Sequence, residues 1–174
     1  IKPDGTQYWY VNGWKHRVDG PALSDRDGFE EWYLHGEYHR TDGPAITRLD
    51  GRKEWWQNGL RHCADGPAVV DTDGYKEWHV DGKLHRIDGP AIADPNGFES
   101  WYEDGLVHRV GGPATTWEDG TQHWCQHGEN HREDGPAIIR PDGKLEWWVN
   151  GVRKPFHEEA NLTAAWNART TDKA

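Results

Sequence analysis

Residues 32–45 read Trp-Tyr-Leu-His-Gly-Glu-Tyr-His-Arg-Thr-Asp-Gly-Pro-Ala, and close variants of this stretch return along the whole chain. The tripeptide Gly-Pro-Ala begins at Gly20, Gly43, Gly66, Gly89, Gly112 and Gly135, so each step is 23 residues. A tryptophan recurs in the same phase at Trp9, Trp32, Trp55, Trp78, Trp101, Trp124 and Trp147. A fixed period of this length indicates a repeat protein whose fold is set by one short unit.

Turn residues leave room only for short extended segments within each unit. One glycine follows each tryptophan by four residues, as Gly36 follows Trp32, and another precedes it by four. Asn-Gly or Asp-Gly pairs such as Asn58-Gly59 favour the positive backbone dihedrals of tight hairpin turns. We expect a first strand over residues 29–34 of the second unit and a second strand that continues from its Pro-Ala.

These signals predict an all-β fold. We expect an elongated, single-layer antiparallel repeat sheet of stacked β-hairpins, with seven repeats over residues 1–151. The turn spacing stops after Gly151. Within residues 152–174, the stretch from about Glu158 to Arg169 has a helical composition, with acidic residues first and arginine last. This segment is predicted to hold a short capping helix that covers the last sheet edge with Leu162, Ala165 and Trp166 on one face.

Composition narrows the classes of partner. The 174 residues carry a formal net charge of −10, and 12 of them are tryptophan. An acidic surface repels phosphate backbones, so no nucleic acid is expected as a partner. The chain has no apolar run long enough for a membrane span and no signal peptide, which predicts a cytoplasmic protein. Cys63 and Cys125 occupy different positions in their repeats and are interpreted as unrelated thiols.

A second aromatic series follows the tryptophans by one residue. Alternation along a strand places it on the opposite face from the tryptophans. An exposed aromatic series on a repeat protein is a candidate binding surface, whereas a packed series would only stabilise the sheet. The predicted binding residues are Tyr10, Tyr33, Trp56, His79, Tyr102 and Trp148, with Cys125 at the equivalent position of the sixth repeat.

Six histidines recur before the Gly-Pro-Ala tripeptide, at His16, His39, His62, His85, His108 and His131. Arginine follows in five of the six, Cys63 being the exception. Because these residues serve every unit, we interpret the histidines and the nearby aspartates as fixing the loop through hydrogen bonds to turn backbone, with arginine pairing to acidic neighbours. An irregular group, His123, Cys125 and His127, alternates along one strand and suggests a metal or thiol site, for which no fourth ligand is evident. No cofactor, metal site or catalytic residue is predicted.

The pattern Trp55, Asn58, Gly59, His62 and Gly66 resembles the MORN repeat. The resemblance covers roughly residues 1 to 151 and is stronger in architecture than in motif, since His-Arg-x-Asp-Gly-Pro-Ala stands where that family has His-Gly-x-Gly. It implies a sheet of stacked hairpins used as a scaffold, an oligomerisation element or a partner-binding surface.

We therefore expect a non-catalytic protein that binds a protein partner, or acts as a scaffold, through an aromatic and acidic face. One alternative is a repeat protein that holds a glycan or a choline-like ligand by cation–π contacts. Another is a partner-blocking protein of immunity or viral counter-defence type. The first repeat has no visible cap, so its sheet edge is also a candidate for pairing with a second copy of the chain in a homo-oligomer.

Overall fold

A computed structural model describes residues 2–171 of the chain and confirms the predicted fold class. The molecule is built mostly from short strands in one long antiparallel sheet, accompanied by two-stranded hairpins and one C-terminal helix. By its internal contacts the chain forms two compact units. The first comprises Ile1–Arg86 and Ala91–Pro95, and the second comprises Ile87–Pro90 and Asn96–Ala174.

The long sheet takes two strands from each of the first six repeats and one from the last. Its 13 strands, in spatial order, are Gln7–Tyr8, Leu23–Ser24, Glu30–Glu31, Ile46–Thr47, Lys53–Glu54, Val69–Val70, Lys76–Glu77, Ile92–Ala93, Glu99–Ser100, Thr115–Thr116, Gln122–His123, Ile138–Ile139 and Leu145–Glu146. Each strand that follows Gly-Pro-Ala pairs with the strand before the tryptophan of its own repeat and of the next. Leu23, for example, lies opposite both Tyr8 and Glu31.

Seven hairpins form the second series of strands. They pair Tyr10–Val11 with Trp14–Lys15, Tyr33–Leu34 with Glu37–Tyr38, Trp56–Gln57 with Leu60–Arg61, His79–Val80 with Lys83–Leu84, Tyr102–Glu103 with Leu106–Val107, Cys125–Gln126 with Glu129–Asn130, and Trp148–Val149 with Val152–Arg153. Both central residues of each turn have positive φ, such as 49° at Asn58 and 73° at Gly59. This is the geometry that the Asn-Gly and Asp-Gly pairs predict.

The prediction of one continuous strand over residues 29–34 is wrong. The segment divides at Trp32 into Glu30–Glu31 of the long sheet and Tyr33–Leu34 of a hairpin, and the chain after the turn forms a further strand, Glu37–Tyr38. Trp32 itself donates its backbone N–H to Ala45 O and accepts from His39 N–H. The tryptophan therefore bridges the two series of strands.

The core is small and made of the residues that follow the Gly-Pro pair. The alanines at 22, 45, 68, 91, 114 and 137 are fully buried. The next residue is buried in most repeats, and Val69 is the largest apolar side chain that is fully buried. Such a core is too thin to rest on aliphatic packing alone, so the aromatic and charged contacts described below carry much of the cohesion.

The C-terminal helix spans Phe156–Thr171. Leu162 and Trp166 are half-buried, but Ala165 is exposed, so the predicted packing face is wrong at that residue. Glu159 and Thr163 contact the last repeat instead, through Trp147. Glu158 and Glu159 lie in the first turn of the helix, where negative charge is favourable.

Candidate binding surface

The residues after the tryptophans, which we call the aromatic column, differ widely in exposure. Tyr10 is exposed, whereas Tyr33, His79 and Cys125 are buried. The others, at 56, 102 and 148, are half-buried. The column therefore serves packing at three positions and offers accessible ring surface at the other four.

A second series of side chains, one residue before each tryptophan, contacts the aromatic column. Carboxylates occupy four of its positions, namely Glu31, Glu54, Glu77 and Glu146. Tyr33 donates its hydroxyl hydrogen to Glu31, and the indole N–H groups of Trp56 and Trp148 donate to Glu54 and Glu146. Because the partners are two positions apart, one on each side of the tryptophan, sequence spacing places them on one face, but it does not show that they bind each other.

Cations neutralise these carboxylates. Lys15 pairs with Glu31 at 3.0 Å, and Arg140 and Arg153 contact Glu146. The predicted acidic character of this face is therefore reduced where the aromatic column lies. Acidic residues that remain well exposed include the loop aspartates Asp19, Asp42 and Asp134.

Several ion pairs and an aromatic contact meet around Glu54, in the first unit. Its side chain is only 3% exposed and pairs with Arg48, Arg52 and Arg61 at 3.2–3.4 Å. Arg61 also pairs with Glu77 at 3.0 Å and lies over the ring of Trp56. An open groove of about 520 Å³ runs over these groups. Its lining is Tyr38, Ile46, Arg48, Asp50, Arg52, Glu54, Trp56 and Arg61.

Glu77 belongs to the same network, and its surroundings lower the pKa of its carboxyl. Its hydrogen bond with His79 Nε2, at 2.8 Å, together with those from Tyr75 and Arg61, lowers the pKa of the carboxyl from 4.5 to about 2, against the opposing effect of burial. A carboxylate only accepts, so Nε2 of His79 holds the proton. His79 is thereby a packing and hydrogen-bonding residue in a position predicted to bind.

This shift predicts an acid-dependent loss of stability. The ionised form of Glu77 is favoured in the folded state, so its contribution is complete above pH 4.5 and falls as the pH drops towards 2. The full shift corresponds to about 3 kcal/mol, and solvent screening of this half-buried group reduces the expected contribution to about 1–2 kcal/mol. Urea unfolding should show wild type losing that much more than Glu77→Gln between pH 5 and pH 2. Equal losses would contradict the assignment.

The recurring histidines bind turn backbone, as predicted. Each histidine, however, binds the hairpin turn of the following repeat and not that of its own. Nδ1 of His16 accepts the backbone N–H of His35, and Nδ1 of His39 accepts that of Asn58. The same bond recurs at His62, His108 and His131, with lengths of 3.2 Å. Each bond holds the first positive-φ residue of a hairpin turn and thereby ties one repeat to the next.

The irregular group at residues 123–127 does not assemble into a site. The ring of His123 packs on Trp117, and that of His127 packs on His108. Cys125 donates its S–H to Asn130, and burial raises the pKa of its thiol to about 11. Within residues 2–171, no cluster of three or more histidine, cysteine or acidic side chains has the geometry to hold a metal ion.

A contact that the sequence analysis did not predict repeats beside the histidines. The arginine that follows the histidine stacks on the tryptophan eight residues before it, as Arg40 does on Trp32 at 3.9 Å. Its pairing with a nearby aspartate, here Asp42 at 2.8 Å, agrees with the prediction. The signal for stacking was the shared phase of tryptophan and arginine in five repeats, but phase does not identify contact.

Comparison with known proteins leaves the chain without an assigned family, since no protein-family model matches it and no curated protein matches its sequence. The helix that the structure describes, Phe156–Thr171, lacks the length and apolar character needed to cross a bilayer. The first strand, Gln7–Tyr8, is at the end of the long sheet, and pairing of this edge with a second copy stays a prediction.

Proposed function

We propose that the chain is a non-catalytic protein-binding or scaffolding module, built from divergent MORN-like repeats, that contacts its partner through the aromatic column and the charged groups beside it. The observation that carries the proposal is the groove over Glu54. It presents a tyrosine, a tryptophan and three arginines together on one open surface. These are the residue types that dominate binding energy at protein interfaces.

The groove is pre-organised for contact. Trp56 is held by its indole bond to Glu54 and by Arg61 over its ring, and Tyr38 packs against it with the ring centroids 5.5 Å apart. Side chains already held in one conformation lose little entropy when a partner binds. The net charge of −10 favours approach of a basic protein over long distances, while the groove supplies the short-range contacts.

Two observations favour this function over others. The buried, neutral thiol of Cys125 is poorly suited to act as a nucleophile, which supports a non-catalytic role. In five repeats an arginine covers the tryptophan face that a choline-like ligand would need, which weakens the ligand-binding alternative. A partner-blocking role remains compatible with the acidic charge, and identification of the partner decides it.

The test begins with capture of partners by the tagged chain at moderate salt and their identification by mass spectrometry. The affinity of the purified partner is then measured for Trp56→Ala. We expect at least about tenfold weaker binding, because truncating a central aromatic residue of an interface typically costs more than 1 kcal/mol.

Trp14→Ala is the matched control, since this indole is 65% exposed and does not line the groove. It should leave the affinity unchanged within about twofold. Trp56→Phe keeps an aromatic ring and should recover part of the binding if the fold is intact. Equal affinities for wild type and a folded Trp56→Ala variant would refute the groove as the contact surface.

A further inference from the structure

Five repeats hold a guanidinium group in the same way. The guanidinium carbon lies 3.9–4.2 Å from the centre of a tryptophan ring. The stacked pairs are Arg17 on Trp9, Arg40 on Trp32, Arg86 on Trp78, Arg109 on Trp101 and Arg132 on Trp124. The chain thus contains its own repeated recognition unit for arginine.

Polar groups complete this unit. Nε of Arg40 donates to Asp42 at 2.8 Å, and its Nη1 donates to the carbonyl oxygen of Pro44 at 3.2 Å. Equivalent bonds hold Arg17 and Arg132. One ring face, one carboxylate and one backbone carbonyl therefore hold a planar guanidinium group. The compact ammonium of lysine lacks the flat face and the fixed N–H directions that this arrangement uses.

The third repeat keeps the receiving groups and lacks the arginine. Trp55, Asp65 and Pro67 occupy the three positions, but Cys63 stands where arginine is expected. Over the part of the chain that the structure describes, no cation lies on the Trp55 ring and no ion pair involves Asp65.

The space that the arginine would fill is open. A methyl carbon at Gly43 would lie 3.0 Å from the guanidinium carbon of Arg40, whereas a methyl carbon at Gly66 would have no neighbour within 4 Å beyond the adjoining residues. The backbone of Cys63 keeps the repeat geometry, because its N–H donates to His79 O as that of Arg40 donates to Trp56 O. No side chain therefore occupies the position beside Gly66 that the guanidinium group takes beside Gly43 in the second repeat.

A neighbouring arginine does not prevent such a guanidinium from binding. The pocket at Trp32 is lined by both Arg17 and Arg40, and the one at Trp124 by both Arg109 and Arg132. In both pockets the second arginine still stacks on its ring. The presence of Arg40 in the preceding repeat is thus compatible with an occupied third repeat.

We propose that Trp55, Asp65 and the carbonyl of Pro67 form an acceptor slot for the guanidinium of an arginine side chain presented by a protein partner. The slot is made by different residues from the groove over Glu54 and does not depend on it. A basic partner is favoured because Asp65 supplies the carboxylate of the slot and the whole chain has a net charge of −10.

The test is an NMR titration of the full chain with Nα-acetyl-arginine amide, observed on the indole N–H resonances. The resonance of Trp55, assigned with Trp55→Phe, should shift saturably with half-saturation on the order of tens of millimolar, as expected for one exposed cation–π contact with an ion pair. Nα-acetyl-citrulline amide has the same shape without the charge and should give less than about a fifth of that shift.

Two variants at one position decide the outcome. Cys63→Arg fills the slot from within and should abolish the saturable shift, while Cys63→Ser leaves it open and should retain it. The proposal would be overturned if the shift of the Trp55 resonance did not saturate, or if it were equally large in Cys63→Arg. Free arginine should bind no better than the capped amide, and binding more than about tenfold tighter would overturn the assignment to a protein side chain. Trp14→Ala, an exposed position outside the slot, should leave the titration unchanged.

Discussion

Replacing Glu54 with alanine is expected to lower the free energy of unfolding by about 2–3 kcal/mol. The carboxylate is 3% exposed and accepts from Arg48, Arg52, Arg61 and the indole of Trp56. Its removal takes an anion from three neighbouring guanidinium groups, of which Arg52 keeps its ion pair with Asp71 and Arg61 keeps its ion pair with Glu77. Loss of one partner of a buried pair typically costs about 3–5 kcal/mol, and the expected loss is smaller here because the arginines are 27–48% exposed.

Urea unfolding followed by tryptophan fluorescence measures this effect. Glu54→Gln keeps the shape and an acceptor but no charge, so its loss should be intermediate. Glu99→Ala is the matched control, because this strand glutamate is exposed and should change stability by less than about 0.5 kcal/mol. A double-mutant cycle with Arg61→Ala should give a coupling above about 0.5 kcal/mol. Additive losses would show that the pair contributes nothing of its own.

Much of the fold could be predicted because it depends on the residue types at the turn positions. Positive φ at Asn58 and Gly59 follows from residue type. The fixed 23-residue step keeps each turn in register with the next, so the pairing of successive units is also predictable. The helix after the last repeat follows from the end of the turn signals.

The features that the sequence did not predict all depend on which face of each short strand contacts which neighbour. A strand of two residues on either side of Trp32 has the same alternation pattern as one continuous strand, so periodicity could not show the division. Burial of Tyr33 and exposure of Tyr10 arise from neighbours rather than from the column position that they share. The carboxylate that receives the indole N–H of Trp56 is visible in the sequence, but its contact depends on the fold of the chain at Trp55.

The last repeat shows how a sheet of this kind ends. In earlier repeats the tryptophan N–H donates to an alanine carbonyl of the Gly-Pro-Ala segment, as Trp124 does to Ala137. Trp147 has no such segment after it, and its N–H donates to the carboxylate of Glu159 at 3.3 Å. Its indole N–H donates to Thr163, and its ring meets Trp166 edge to face. The helix thus supplies the groups that a further repeat would have supplied.

Replacing Trp147 with alanine is therefore expected to lower the free energy of unfolding by about 3–4 kcal/mol and to release the helix. The side chain is only 7% exposed, and it holds both the terminal sheet strand and the helix face. In repeat proteins such damage stays near the altered unit. Amide hydrogen exchange should therefore show faster exchange over residues 145–171 with little change in the first unit.

Two controls separate loss of the ring from loss of one hydrogen bond. Trp147→Phe keeps most of the packing and loses the bond to Thr163, which predicts a cost of about 1 kcal/mol. Val110→Ala removes an apolar group from a loop position that is 73% exposed in the same unit, and should change stability by less than about 0.5 kcal/mol. If Trp147→Ala left exchange in the helix unchanged, the helix would owe its position to the Arg153–Glu159 ion pair instead.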